Sequence, residues 1–318
     1  MNLNSTNNNS SNSLAIIMCT KNGELFIDEQ LNSIKNQKYK NFDLYITDNS
    51  SSDETKDKIN LFIRNNPNYN IFLSDGNDKH FANNFIESAK NIKKRYSYYA
   101  FCDQDDIWED FHLMRCIETL RKKNTEKTPA LLCSSTILIN SCGDVIGSSK
   151  VFRKPTSFEN AIVQSIAGGN TMVFNYNAYT LLRNVDTDKK SIPSHDWLLY
   201  LLVTSHSGKV KYQDKPSVRY RQHSKNAIGS NKGFMALLLR ARMAYNGQWK
   251  NWIELNNNIL LQCPDLSNDA FQKINSFKKM RVNKSIIKRL VMLKRLRIYR
   301  QSFFGNISLF VSVIFKKI

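Results

Sequence analysis

Three carboxylates fall within four residues at Asp103, Asp105 and Asp106, in the run FCDQDDIW. Like charges at that density repel, so either a cation neutralises them or at least one carboxyl keeps its proton to an unusually high pH. A cation here would be Mn2+ or Mg2+, hard ions that take oxygen ligands and share them with phosphates. The same side chains could instead cap the following helix in solvent. A second group lies at Asp48, with Ser50 and Ser51 beside it. These can hydrogen-bond a nucleoside or simply close a turn. A third, His195-Asp196-Trp197, sets a carboxylate at the start of an apolar segment, where it could take a proton from a hydroxyl or cap a helix. In RYRQHSKN, His223 could ligate a metal, meet a phosphate or sit as an ordinary histidine, while Arg219, Arg221 and Lys225 suit a diphosphate. No nucleophile elbow and no Walker loop is present. Gly168-Gly169-Asn170 lacks a dinucleotide fingerprint but permits close backbone approach to a ligand.

The elements that must position these groups follow from periodicity. Leu14 to Cys19 is an unbroken apolar run, which predicts a buried strand, and Glu24 to Asn36 has helical spacing. Strands are expected at Phe42 to Thr47, Ile71 to Leu73 and Tyr98 to Cys102, and helices over 53–65, 83–95 and 110–123. The order βαβαβαβα predicts a mostly parallel sheet with helices on both faces and ligands beyond the carboxyl ends of its strands. All three acidic groups follow a strand or open a helix. Further strands are expected at Leu131 to Ile139 and Asn170 to Asn175, separated by an exposed turn near Gly143 to Lys154. Beyond Asn226 the pattern turns helical, over 235–260 and 285–300, the latter with Ile286, Leu290, Leu293 and Leu296 on one stripe.

The net charge of +19 is concentrated at one end. Residues 271–318 hold thirteen Lys/Arg and no Asp or Glu, so +19 less thirteen leaves +6 for the other 270 residues. A basic end points to an anionic surface met there, rather than to a basic fold. The apolar stretch Phe303 to Phe315 is thirteen residues long, short of the ~20 that a spanning helix needs. The Asn/Ser-rich start, residues 1–13, reads as disordered and lacks the basic and apolar blocks of a secretory signal. With six cysteines and no C-x-x-C pair, the expectation is a reduced, cytoplasmic protein.

The motifs, taken in order, resemble glycosyltransferase family 2, and within it the bacterial rhamnosyltransferase-like branch, over about residues 14 to 230. IIMCTKNGELFIDEQLNSIKNQKYKNFDLYITDNSSSDET resembles the opening block, FCDQDDIW the D-x-D region, GGNTMVFN the acceptor-side strand, HDW the base position and YRQHSKN the closing motif. Departures from the pattern are Cys19, Lys21 and Asn49, where Pro, an aromatic residue and a second Asp are common. The resemblance implies an α/β, GT-A (Rossmann-like) domain at 14–230, followed by a basic helical C-terminal extension at 231–318. It implies Thr20, Asn22, Asp48 and Asp103 as nucleotide-sugar contacts, joined by Ser50, Gln104 and Arg221. Asp103, Asp105 and His223 would hold Mn2+ or Mg2+, and Asp196 would deprotonate the acceptor. The expected reaction is an inverting transfer of rhamnose or a hexose from a dTDP- or UDP-sugar to a growing, lipid-linked glycan. It would take place at the inner face of a membrane met through residues 279–318, with no nucleic-acid partner. Two other readings stay open: a catalytically inactive relative kept as a scaffold, and a nucleic-acid binder acting through the basic tail.

Overall fold

Successive residues of a strand point to opposite faces, so a strand covered on both sides must be apolar throughout. Leu14–Thr20 (β1) meets that condition: Ala15 and Ile17 enter one core, and Leu14, Ile16 and Met18 enter the other. Tyr98–Cys102 (β4) divides in the same way, with Tyr99 and Phe101 on one side and Tyr98, Ala100 and Cys102 on the other. The computed structural model describes residues 13–77, 80–122, 127–186, 192–223 and 246–318.

The central sheet has seven strands. Beside β1 and β4 these are Phe42–Asp48 (β2), Ile71–Asp75 (β3), Ala130–Ser134 (β6), Val173–Asn175 (β9) and Lys209–Gln213 (β10), in the order β10-β6-β9-β4-β1-β2-β3. One core lies under Ile27–Lys35 (α1), Thr55–Asn65 (α2) and His112–Lys122 (α4). The other is covered by Phe81–Asn91 (α3), Phe158–Ala161 (α5), Tyr176–Arg183 (α6) and His195–Ser205 (α7). Helix α7 is buried almost all round, as its uninterrupted apolar run requires.

The sheet is mostly parallel, as expected, and only β9 runs antiparallel to its neighbours β4 and β6. Three expectations are corrected, the first being that the strand expected from Asn170 opens as a 3-10 turn, Gly169–Thr171. The single strand expected over 131–139 is two. The chain leaves β6 at Ser134 and enters a second sheet as Ile137–Ile139 (β7), where Ile107–Trp108 (β5), Val145–Ser148 (β8) and Val218–Arg221 (β11) join it in the order β5-β11-β7-β8. The stretch expected as an exposed turn therefore contains β8, hairpin-paired with β7 around Gly143 at φ 89°.

The boundary expected at 230/231 and the start of the 235–260 helix lie outside the described residues. Gln248–Leu260 (α8), Asn268–Val282 (α9), Ile286–Arg295 (α10) and Phe303–Ile314 (α11) follow. Their buried faces, including Ile274, Phe277, Leu293 and Leu309, join the core beneath α7. The stripe Leu290, Leu293 and Leu296 is thus spent on packing against the rest of the molecule, while Ile286 remains exposed. Among the described residues no helix is long and apolar enough to cross a membrane.

Arg289 fixes the last two helices to each other. Its buried guanidinium donates to the carbonyls of Val313 and Ile314 at the end of α11 and to Asn283 and Lys284 before α10. Hydrogen bonds to a charged donor contribute about 1.5–3 kcal/mol each, and unpaired buried carbonyls carry a desolvation penalty. Arg289→Ala should therefore destabilise the protein by roughly 2 kcal/mol or more in urea unfolding, with amide exchange rising first in α11.

Candidate active site

Parallel strands place their carboxyl ends on one edge, and the register aligns the chemistry along it. Thr20 at the end of β1 pairs with Asp48 at the end of β2, and Asp48 pairs with Asp75 of β3. Cys102 pairs with Met18, so Asp103 leaves β4 on the same edge. Because β9 runs the other way, its beginning meets that edge, and the Gly169–Thr171 turn is carried to the carboxylates.

The side of the edge near β2 is a hydrogen-bond network. Thr20 Oγ1 donates to Asp48 Oδ1 over 2.9 Å, and Ser51 Oγ donates to the same oxygen over 2.6 Å. Ser51 also accepts from the Asn22 amide at 2.9 Å, and the Asn22 side chain accepts from the Ser52 amide at 2.9 Å. The two loops are thereby tied together, with Asn22 and Ser50 held at φ 48° and 58°, in the left-handed region. Of the two serines beside Asp48, Ser51 makes the contacts to it, while Ser50, expected at the nucleotide-sugar, is exposed. Gln104 reaches back to clamp the Lys21 peptide, accepting from its N–H at 2.9 Å and donating to its carbonyl at 3.0 Å. A side chain at Gly23 would strike the Gln104 amide and push it out of this clamp. Asn49 Oδ1 is buried with no hydrogen-bond partner among the described residues.

The carboxylate side is electrostatically loaded. Burial, then the charges of Asp105 and Asp196, push the Asp103 carboxyl up to about 8. Burial is also the largest cause raising Asp106, opposed by its hydrogen bonds. Asp196, at the start of α7, is raised to about 6 by burial, against hydrogen bonds from Ser194 and from the backbone at Trp197 and Gly169. The charges of Asp105 and Asp196 thus add to burial in favouring the protonated form of Asp103. Among the described residues no three His, Cys, Asp or Glu side chains converge into a ready-made metal cage. The fit is to a hard ion held by one or two carboxylates and completed by phosphate oxygens, as Mg2+ and its like are bound. His223 Nε2 lies 2.7 Å from Asp105 Oδ2 and its ring sits 5.0 Å from that of Phe26, so the pair is already assembled.

Two residues have other roles than their types suggest. Arg221 is wholly buried: it donates to Glu29 at 2.6 Å, to the Asp105 carbonyl at 2.9 Å and to the Ser141 carbonyl at 2.9 Å. It therefore braces the back of the acidic loop instead of facing a diphosphate. Arg219 pairs with Glu109 at 2.7 Å, and Lys225 lies outside the described residues. Asp106, the one carboxylate of the acidic triplet given no ligand role from the sequence, accepts from Asn170 at 2.5 Å and from the Arg221 amide at 3.1 Å, joining the acidic loop, the glycine turn and β11. The glycines of that turn leave room for protein rather than ligand: Gly168 for Asn170, and Gly169 for His195. His195 stacks on Phe85 at 4.1 Å and is held down to about 3 by burial. Gly169→Ala should cost about 1–3 kcal/mol by overpacking, read in urea unfolding, and should lower turnover by displacing Asp196 with its helix.

A family model described as "Glycosyl transferase family 2" matches residues 15–176. The dTDP-rhamnosyl transferase RfbG of Shigella flexneri is 29% identical over 237 residues, spanning 72% of this chain and 79% of that protein. The UDP-Glc:alpha-D-GlcNAc-diphosphoundecaprenol beta-1,3-glucosyltransferase WfgD of Escherichia coli is 31% identical over 117 residues, 35% of this chain and 42% of its own length. Among solved structures, Staphylococcus aureus TarS 1-349 in complex with UDP-GlcNAc superposes with a TM-score of 0.58 at 15% identity, covering 95% of this chain and 81% of the other.

Proposed function

Since the chain belongs to glycosyl transferase family 2, among relatives of the bacterial dTDP-rhamnosyl transferases, we propose that it is an inverting enzyme moving rhamnose or a hexose from a dTDP- or UDP-sugar to a lipid-linked glycan. At the coarser level it is a nucleotide-sugar-dependent glycosyltransferase that delivers a sugar to an acceptor. The observation that supports the reading is the alignment of Thr20, Asp48 and Asp103 at the carboxyl ends of neighbouring strands, with the Thr20–Asp48–Ser51 network among them.

Thr20, Asn22, Asp48 and Ser51 hold the nucleoside, with the unpartnered Asn49 Oδ1 offering an acceptor to an N–H of the base. Asp103 and Asp105 face the diphosphate, and His223 orients Asp105. These carboxylates would hold Mn2+ or Mg2+, which when bound would supply positive charge against the diphosphate. Asp196 takes the proton from the acceptor hydroxyl as that oxygen bonds to the anomeric carbon. The bond from that carbon to the diphosphate oxygen breaks, the electron pair leaves with the nucleoside diphosphate, and the configuration inverts. Raised to about 6, Asp196 is ionised at neutral pH and still basic enough to share a proton in flight. The acceptor's lipid would lie in the inner leaflet, with residues 279–318 turned toward it. Incubation with dTDP-rhamnose, UDP-glucose and a membrane lipid extract should release the nucleoside diphosphate of one donor. Absence of release from every dTDP- and UDP-sugar tried, by folded protein with metal present, would contradict the reading.

A further inference from the structure

Helix α11, Phe303–Ile314, has no charged residue. One side buries Leu309 and Val313 in the core, while Phe303, Phe304, Ile307 and Val311 on the other are 46–77% exposed. At 100° per residue these four span about a quarter to a third of the helix circumference, a continuous uncharged face. Of the seventeen large hydrophobic side chains exposed among the described residues, eleven belong to residues 271–318, although this segment is under a sixth of the chain. Such concentration is unusual on a protein surface bathed only in water and marks an interaction face.

The neighbouring helix supplies the charge. In α10, Ile287 and Val291 are exposed beside Lys288, Lys294 and Arg295. Between α10 and α11 lies a groove of about 600 Å3, floored by Leu290, Leu293 and Leu309 and edged by Lys294 and Arg297. No Asp or Glu occurs anywhere from residue 271 to 318, against thirteen Lys/Arg. The exposed face is not a loose end, since Arg289 ties the close of α11 to the start of α10. A helix of 12 residues is about 18 Å long, well short of the ~30 Å hydrocarbon core, so it can lie along a bilayer but not cross it.

We propose that the α10–α11 hairpin is an in-plane anchor for an anionic bilayer. The uncharged face of α11 enters the acyl boundary, led by Phe303 and Phe304, and the cations of α10 rest among the lipid phosphates. An apolar face alone would fit many partners; an apolar face on a segment with thirteen Lys/Arg and no Asp or Glu of its own fits an anionic lipid surface. The anchor deepens the reading of the acceptor as lipid-linked, and rests on it for its purpose, but its binding is measured without turnover, so each can fail alone.

The test is sedimentation of the full chain with phosphatidylcholine vesicles, with and without phosphatidylglycerol, at low and high salt. Wild type should pellet with the anionic vesicles, less so at high salt. Phe303→Ser with Phe304→Ser should weaken partitioning at least about tenfold per phenylalanine while nucleotide binding is unchanged. Lys288→Glu with Lys294→Glu should also weaken it and flatten its salt dependence. As a positional readout that does not depend on loss, Phe304→Trp should be quenched by brominated acyl chains. Failure of wild type to pellet, equal pelleting by the double serine variant, or an unquenched Trp would overturn the proposal. So would a solution dimer dissolved by the serine pair with vesicle binding intact, which would assign the face to a second copy of the chain.

Discussion

Asp196→Asn is expected to lower sugar transfer about a thousandfold while dTDP or UDP still binds, because the amide keeps the shape of the α7 start but cannot accept the acceptor's proton. The wild-type pH profile carries the same information. A base is active when ionised, and burial raises Asp196 to about 6, so kcat/KM should fall as pH drops through about 6 and level off above it. The residual activity of the Asn variant should lack that limb. A variant as active as wild type, or one that keeps the limb, would remove Asp196 from the base role.

Asp103→Asn should have opposite effects on function and on stability. Turnover should fall by a hundredfold or more, and the response to Mn2+ should vanish, since a carboxylate facing the diphosphate is lost. The metal-free protein should nevertheless become more stable. Burial and its neighbours push Asp103 up to about 8 in the fold against an ordinary value near 4, so its penalty on stability is absent below about pH 4 and grows as pH rises toward 8. The Asn variant escapes this loss, and its advantage should grow across that window to roughly 1–3 kcal/mol. Thermal melts of both proteins from pH 5 to pH 8, with and without Mn2+, would show it. A variant less stable than wild type throughout would mean that the carboxylate is compensated in the fold by interactions other than a bound cation.

The parts of this site that were legible in the sequence are those carried by local pattern. The apolar runs ending at Thr20, Asp48 and Asp103 mark buried strands, and parallel strands bring their ends together whatever the details of packing. Asp196 was legible for the same reason, as the first carboxylate of a helix apolar on every side. What escaped depends on partners far apart in the chain. Nothing local says that β9 runs antiparallel, yet that direction brings Asn170 to Asp106 across 64 positions of sequence. Arg221 reads as a phosphate ligand by its type and neighbours, and only the fold reveals Glu29 and the Ser141 carbonyl waiting for it. The departure of Asn49 from the family pattern was visible, but not that its oxygen would be buried and unmet. In the tail, periodicity found the stripe that packs inward, while the exposed face of α11 became visible only once Leu309 and Val313 were seen to occupy the other side.

The central claim is that one edge of the sheet binds a nucleoside diphosphate through carboxylates that need a cation. Its most direct test is calorimetric titration of dTDP and UDP into the protein, with and without Mn2+, beside Asp105→Ala. The account predicts binding of one of the two nucleotides that strengthens with Mn2+ in the wild type and loses its metal dependence in the variant. Binding of neither nucleotide by the folded protein, or equal metal-dependent binding by Asp105→Ala, would contradict it.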